Sequence, residues 1–346
     1  MKRKLAACLL ALCVAGAAWG AWNLYRPYRG WGVPALVEIP SGTGATAIAD
    51  LLVTRGVLAH RWPFLARYWM GRPHHHLLKA GEYLFDRPLR PVDVYRKLVL
   101  GDVYLHPVVV PEGSDRFDIA RILSDRMAVN PDEFLRRTEQ TSLIRDLDPQ
   151  APSLEGYLFP DTYRFPRGVT AETVIATMIA RFRQVLHTRF PDEMASQAGD
   201  LHAVVTLASL VEKETPNPAE RSVVAGVFTR RLEKHMLLEC DPTVIYAARL
   251  TGRAIGAIRT SDLSFASPYN TYVHAGLPPG PIANPGESSL RAAFHPAESD
   301  MLYFVSNNHG GHVFSKTLAE HQHNVASYRR ELKAELRSQK SGGEKH

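Results

Sequence analysis

Two glutamates, Glu212 and Glu214, close the apolar segment Leu201 to Val211. A carboxyl carried at the end of a mostly apolar helix is partly desolvated. Desolvation raises its pKa and makes it a usable proton donor near neutral pH. On a helix, residues two apart point about 200° away from each other, so the two carboxylates cannot both face one cleft. Glu212 continues the face of Ala208 and Ser209 and is assigned to the cleft. Glu214 is assigned a structural role, with Arg221 or Arg230 as its partner. Other reactive side chains form weaker patterns. His309, His312, His321 and His323 suggest a metal hydrolase, but His321 and His323 are two apart on one helix and face apart, so no metal is expected. The adjacent His74, His75 and His76 point in different directions on any backbone. There are three cysteines. Cys8 and Cys13 lie in an N-terminal apolar run, leaving Cys240 without a disulfide partner or a CxxC metal pair. Beside Asp241, Cys240 reads as a small buried filler.

The elements that must hold these groups follow from local pattern. Val204, Ala208 and Val211 recur at helical spacing, as do Leu201, Val205 and Leu207. Pro216 disfavours helix at Thr215, so the helix ends there. Asn217 then caps a second helix, with Pro218 at its first position and Glu220 three residues on. Val223, Val224, Val227, Phe228 and Leu232 form its buried stripe. Upstream, residues 38–52 and 109–123 repeat one unit of strand, Gly turn and helix: Pro111, Gly113, Ile119, Ala120 and Leu123 answer Pro40, Gly42, Ile48, Ala49 and Leu52. Thr43 and Ser114 are the matching helix caps. Arg61 to Tyr68 reads as a short helix, residues 81–85 as a strand, and Pro88 to Leu100 as a helix. Pro131 to Thr138 and Thr170 to Phe190 are helical.

Leu154 to Phe165 alternates too poorly for a plain strand. It brings together aromatic faces and carboxylates of the kind a carbohydrate groove needs; an irregular structural loop is the competing reading. The proline-rich stretches Ser267 to Tyr272 and Gly276 to Gly286 are ordered loops, where sites tend to be built. Ser288 to His295 is a short helix, and residues 303–306 and 312–314 are the strands of a hairpin. Ser315 to Lys333 is a terminal helix, and a polar tail expected to be disordered begins at Ser338.

The length of 346 residues suggests two or three domains. A net charge of +6 without a dense Lys/Arg block gives no case for nucleic acid. Lys2-Arg3-Lys4 precedes the uncharged residues 5–22, and Trp19, Trp22, Tyr25 and Tyr28 resemble an interfacial belt. The expectation is an uncleaved single-pass anchor, N-terminus inside and remainder exported. A signal peptide cleaved after Ala18-Trp19-Gly20 is the alternative.

The run Ala208 to Thr215, Glu220-Arg221, Asp241 to Tyr246, Ser267 to Tyr272, Gly276 to Ile282, Asn284-Pro-Gly286 and His312 to Leu318 resembles the MltG (YceG-like) family of endolytic murein transglycosylases. Leu154 to Tyr163 resembles it too, and the likeness runs from the anchor to about residue 330. The resemblance implies an α+β protein: anchor over residues 1–30, LysM-like β-α-α-β subdomain over 36–104, mixed αβ catalytic domain over 105–335, and tail over 336–346. It implies cleavage of the MurNAc-β-1,4-GlcNAc bond in nascent peptidoglycan strands to leave 1,6-anhydroMurNAc ends, on the periplasmic or extracellular side of the cytoplasmic membrane. No cofactor is expected, and peptidoglycan synthases are the implied protein partners. The catalytic role falls on Glu212. Glu155, Asp241, Tyr246 and Asn270 are the candidates for the cleft wall and sugar hydrogen bonds, with packing as the competing role for each. Glu239 and Cys240 depart from the family's usual Gln and small residue or Thr. The alternatives are a two-carboxylate muramidase, with Glu239 or Asp241 partnering Glu212, and a membrane-tethered glycan-binding scaffold.

Overall fold

The computed structural model describes residues 2–28, 30, 34–71, 77–195, 200–253, 255–256 and 258–343, with side chains from 3 to 334. The His74–His76 run lies outside them. The chain divides into two units, residues 1–107 with 164–168, and residues 108–163 with 169–346.

The first unit opens with α1 (Lys2–Tyr25). Its residues Arg3–Tyr25 are long and apolar enough to cross a membrane, and none of that span is buried. Then follow β1 (Ala35–Ile39), α2 (Ala45–Thr54), α3 (Arg61–Gly71), β2 (Gly81–Phe85) and α4 (Pro91–Leu100). This is the expected β-α-α-β order with a closing helix. β1 and β2 pair antiparallel, with Val37 opposite Tyr83 and Ala35 opposite Phe85. Val37, Ile48, Leu52, Phe64, Phe85 and Leu98 fill the core between this ribbon and its helices. Each fully buried side chain of this kind stabilises the unit by about 1.5–3 kcal/mol. The chain leaves the unit along β3 (Leu105–Val109), which pairs with β4 (Thr162–Pro166).

In the second unit, α5 (Arg116–Met127) and α6 (Pro131–Thr138) precede β4. Next come α7 (Ala171–Arg189), α8 (Pro191–Ala195), α9 (Leu201–Glu214), α10 (Arg221–Glu233) and α11 (Asp241–Leu250). After the proline-rich loops come α12 (Glu287–Phe294), the antiparallel hairpin β5 (Tyr303–Ser306) and β6 (His312–Ser315), and α13 (Leu318–Gly343). The tail expected from Ser338 is therefore helical through Gly343.

The internal repeat is structural. Thr43 and Ser114 each donate a hydroxyl to the carbonyl three residues back, Pro40 and Pro111, both at 2.7 Å. Gly42 and Gly113 each turn the chain at positive φ, 80° and 73°, a conformation open to glycine. Thr43 and Ser114 thus lock the turn and do not cap. Gly44 precedes α2 without a side-chain cap, whereas Asp115 caps α5 in a capping box with Asp118. Asn217 likewise closes a short turn on Ala219 N–H at 3.1 Å, and α10 begins only after Glu220.

Candidate active site

α9 ends at Glu214, with Thr215 extended as its C-cap. The two terminal glutamates leave on different faces and meet different surroundings. Glu212 points inward. Arg221 Nη2 donates to its Oε1 at 2.9 Å and the Gly286 N–H to its Oε2 at 3.0 Å. Both side chains of the Glu212–Arg221 pair are only 5% exposed. Gly286 opens α12, so the carboxylate also sits at a helix N-terminus, where negative charge is favoured. The face that Glu212 shares with Ala208 and Ser209 is the core-facing face: Ala208 is fully buried, and Ser209 Oγ accepts the Ile282 N–H at 3.0 Å. Extending an apolar stripe leads to the carboxylate that the core must neutralise. Arg221 therefore pairs with Glu212 and not Glu214, and Arg230 pairs with Glu233.

Glu214 points the other way, into a cavity of 520 Å³. Glu239 from the approach to α11, Asp241 from its first turn, Tyr272 from the proline-rich loop and Arg231 from α10 share its wall. Phe304 of β5 and His321 and Arg329 of α13 complete it. The Tyr272 hydroxyl donates to Asp241 Oδ1 at 2.6 Å. Arg231 donates to the Leu237, Leu238 and Leu302 carbonyls and to Glu239 Oε2 at 3.1 Å. Burial pushes the Glu214 carboxyl above its ordinary pKa; a hydrogen bond with the Cys240 thiol opposes this, and the Asp241 charge adds to it. Burial, reinforced by Glu214, pushes the Cys240 thiol well up, so it remains a protonated filler. The cavity thus holds a carboxyl inclined to keep its proton, two further carboxylates, aromatic faces and guanidinium groups. Such a wall can donate a proton to a sugar oxygen and accept hydrogen bonds from sugar hydroxyls.

Of the four residues expected on the cleft wall, only Asp241 lines this cavity. Glu155 is 1% exposed and is an internal junction. Its oxygens accept from the Arg116 N–H at 3.0 and 3.1 Å, the Asn284 amide at 2.8 Å and the Tyr246 hydroxyl at 3.0 Å. Burial, and then the nearby Asp115 charge, push its pKa up to about 8. Tyr246 is spent on that junction. Asn270 is fully buried and braces its own loop through the Leu263 and Phe265 carbonyls and the Tyr272 N–H. It sets Tyr272 in place without reaching the cavity.

Sequence reasoning missed Asn284, Arg231 and Tyr272. Asn284 Oδ1 accepts the Gly156 and Leu158 N–H groups, both at 2.9 Å, and its amide reaches Ser114 and Glu155. It thereby fixes the backbone that presents Gly286 to Glu212. Tyr272 lay within a loop already singled out as ordered. Arg231 gave no signal, since one Arg of a helical pair looks like any solvated cation. His312, a candidate metal ligand, is held by Glu220 through Nδ1 at 2.8 Å and through its N–H at 3.0 Å. His321 instead stacks on Tyr303, ring centroids 5.1 Å apart. Among the described residues no cluster of three or more His, Cys, Asp or Glu is placed to hold a metal ion.

A family model described as YceG-like matches residues 37–327. The chain is 35% identical over 301 residues to a Bacillus subtilis (strain 168) protein named endolytic murein transglycosylase, covering 82% of each chain. A protein of the same name from Streptococcus pneumoniae serotype 2 is 28% identical over 323 residues, covering 84% of this chain and 58% of that one. The crystal structure of a YceG-like protein from Listeria monocytogenes superposes with a TM-score of 0.58 at 32% identity, covering 84% of this chain and 99% of that one.

Proposed function

Since this chain belongs to the YceG-like family, we propose that it is an endolytic peptidoglycan lytic transglycosylase, with Glu214 as its acid and base. The observation that carries the residue assignment is the division of the α9 terminus. Glu212 is engaged at both oxygens by buried donors, whereas Glu214 lines the acidic and aromatic cavity.

Protonated Glu214 donates to the glycosidic oxygen between MurNAc and GlcNAc as positive charge develops at the anomeric carbon. The resulting carboxylate takes the proton of the MurNAc C6 hydroxyl, whose oxygen attacks the same anomeric carbon. The chain is cut, a 1,6-anhydro end forms, and no water is consumed. The internal nucleophile is already tethered, which removes much of the entropic cost of a second reactant. Asp241 and Glu239 accept sugar hydroxyls, and Tyr272 holds the Asp241 carboxylate in orientation.

The α1 helix anchors the enzyme in the cytoplasmic membrane, with the catalytic unit outside. There it acts on nascent strands beside peptidoglycan synthases and sets strand length. The LysM-like unit grips glycan. Asp241 in the same cavity favours one second reading, a two-carboxylate hydrolase in which it activates water.

Mass spectrometry of the muropeptides released from strands tests the proposal. Anhydro ends from the wild type, absent with Glu214→Gln, are expected. Reducing ends would replace the internal route by hydrolysis, and absence of any product would leave a glycan-binding scaffold.

A further inference from the structure

The helix α3 presents the wrong surface for a water-facing element. Its core face carries Phe64, fully buried, with Tyr68 packed on the same cluster and Gly71 buried. At about 100° per residue, Trp62, Ala66, Trp69 and Met70 lie on the opposite side, roughly 140° to 240° from Phe64. That side of an amphipathic helix is ordinarily polar. Here Trp69 and Met70 are 55% and 56% exposed.

A second, independent contact says what this face meets. Trp19 of the spanning helix α1 stacks on Trp62, with centroids 5.2 Å apart and planes 16° from parallel. Trp19 lies six residues before the end of α1, about 9 Å back along its axis. Trp62 is therefore level with the last turns of a helix suited to lipid. Beyond α1 the chain stays attached to the same unit: the Tyr28 N–H bonds the Leu89 carbonyl at 3.2 Å, and Arg90 lies 6.0 Å from the Tyr25 ring. Indole rings favour the membrane–water interface, where an apolar ring and an N–H are both accommodated.

We propose that the outward face of α3 is a lipid-contact surface, bedded in the headgroup region of the bilayer beside α1. This inference rests on the reading of α1 as a membrane span. The first unit is then held by two points, a spanning helix and a surface helix, and does not swing freely on its anchor.

The test uses the full-length protein in phosphatidylcholine–phosphatidylglycerol vesicles containing brominated lipids. Two single-tryptophan versions keep either Trp19 or Trp69, with the other tryptophans changed to Phe. Bromines near the headgroup end of the acyl chains are expected to quench both, and vesicles are expected to shield Trp69 from acrylamide. As a second measurement, a polarity-sensitive dye on Met70→Cys, in a Cys8→Ala, Cys13→Ala background, is expected to show blue-shifted emission. Quenching of Trp19 with Trp69 left open to acrylamide and untouched by bromine would overturn the proposal. So would a Trp69 shielded from both quenchers, which would mean a protein contact or a second copy, or shielded only when glycan strands are added. Quenching of neither, with the protein failing to float with vesicles, would remove the anchor and this surface together, leaving the activity of the catalytic unit to be judged by its products.

Discussion

At the scale of single residues, two glutamates of identical chemistry differ only in what surrounds them. Glu212 neutralises Arg221, which is 4% exposed. Glu212→Gln leaves that buried guanidinium with half-exposed Glu112, 3.6 Å away, as its counter-charge among the described residues. Breaking a buried pair in this way costs about 3–5 kcal/mol, so the expected result is a clear fall in the thermal midpoint, with turnover persisting in molecules that remain folded. Glu214→Gln removes a proton donor from a cavity wall. The expected loss in kcat is about 10²- to 10⁴-fold, with the melting temperature little changed. Measuring both quantities on both variants decides between the two assignments; the reverse pattern would return the acid role to Glu212. Because burial raises the Glu214 pKa, the rate of the wild type is expected to fall on the alkaline side as this carboxyl loses its proton.

At the scale of elements, boundaries were well marked and terminal details were not. Pro216 ended α9 where expected, and Pro131–Thr138 is helical as read. Capping residues were harder to place. A hydroxyl or amide beside a helix start can serve either the helix or its own turn, and Thr43, Ser114 and Asn217 all serve the turn. Contacts between elements depend on small residues whose role no local pattern reveals. Gly156 has φ of 88°, and a β-carbon there would lie 2.5 Å from Pro281 and 2.8 Å from Val205. Gly156→Ala combines left-handed backbone strain of about 1–2 kcal/mol with overpacking of about 1–3 kcal/mol. A lowered denaturant midpoint at unchanged m-value is the expected outcome in urea unfolding.

At the scale of the whole molecule, the Glu155 junction ties α5, α11 and the loop before α12. Its pKa of about 8 stands above the ordinary 4.5. The folded protein therefore keeps this proton where the unfolded chain releases it. Its contribution is complete below pH 4.5 and is lost as pH climbs towards about 8. Stability should therefore drop across that window by up to about 1.4 kcal/mol per pH unit from this group. Calorimetry from pH 5 to 8 should show a downward slope that Glu155→Gln flattens. An equal slope in both proteins would show that Glu155 is ionised throughout.

The apolar N-terminal helix, the β-α-α-β order, the repeated strand-turn-helix unit and the family could all be read along the chain. So could the fact that only one of Glu212 and Glu214 faces a given cleft. These follow from periodicity, turn chemistry and ordered motifs, all local along the chain. The tertiary structure supplied what separates the two: buried donors on both oxygens of Glu212 and a cavity beside Glu214. It also withdrew Glu155, Tyr246 and Asn270 from the cavity wall and placed Tyr272 and Arg231 on it. The role of a carboxylate depends on which donors reach it from distant segments. Arg221 and Gly286 arrive at Glu212 from nine and seventy-four residues away, and no spacing near residue 212 records their approach.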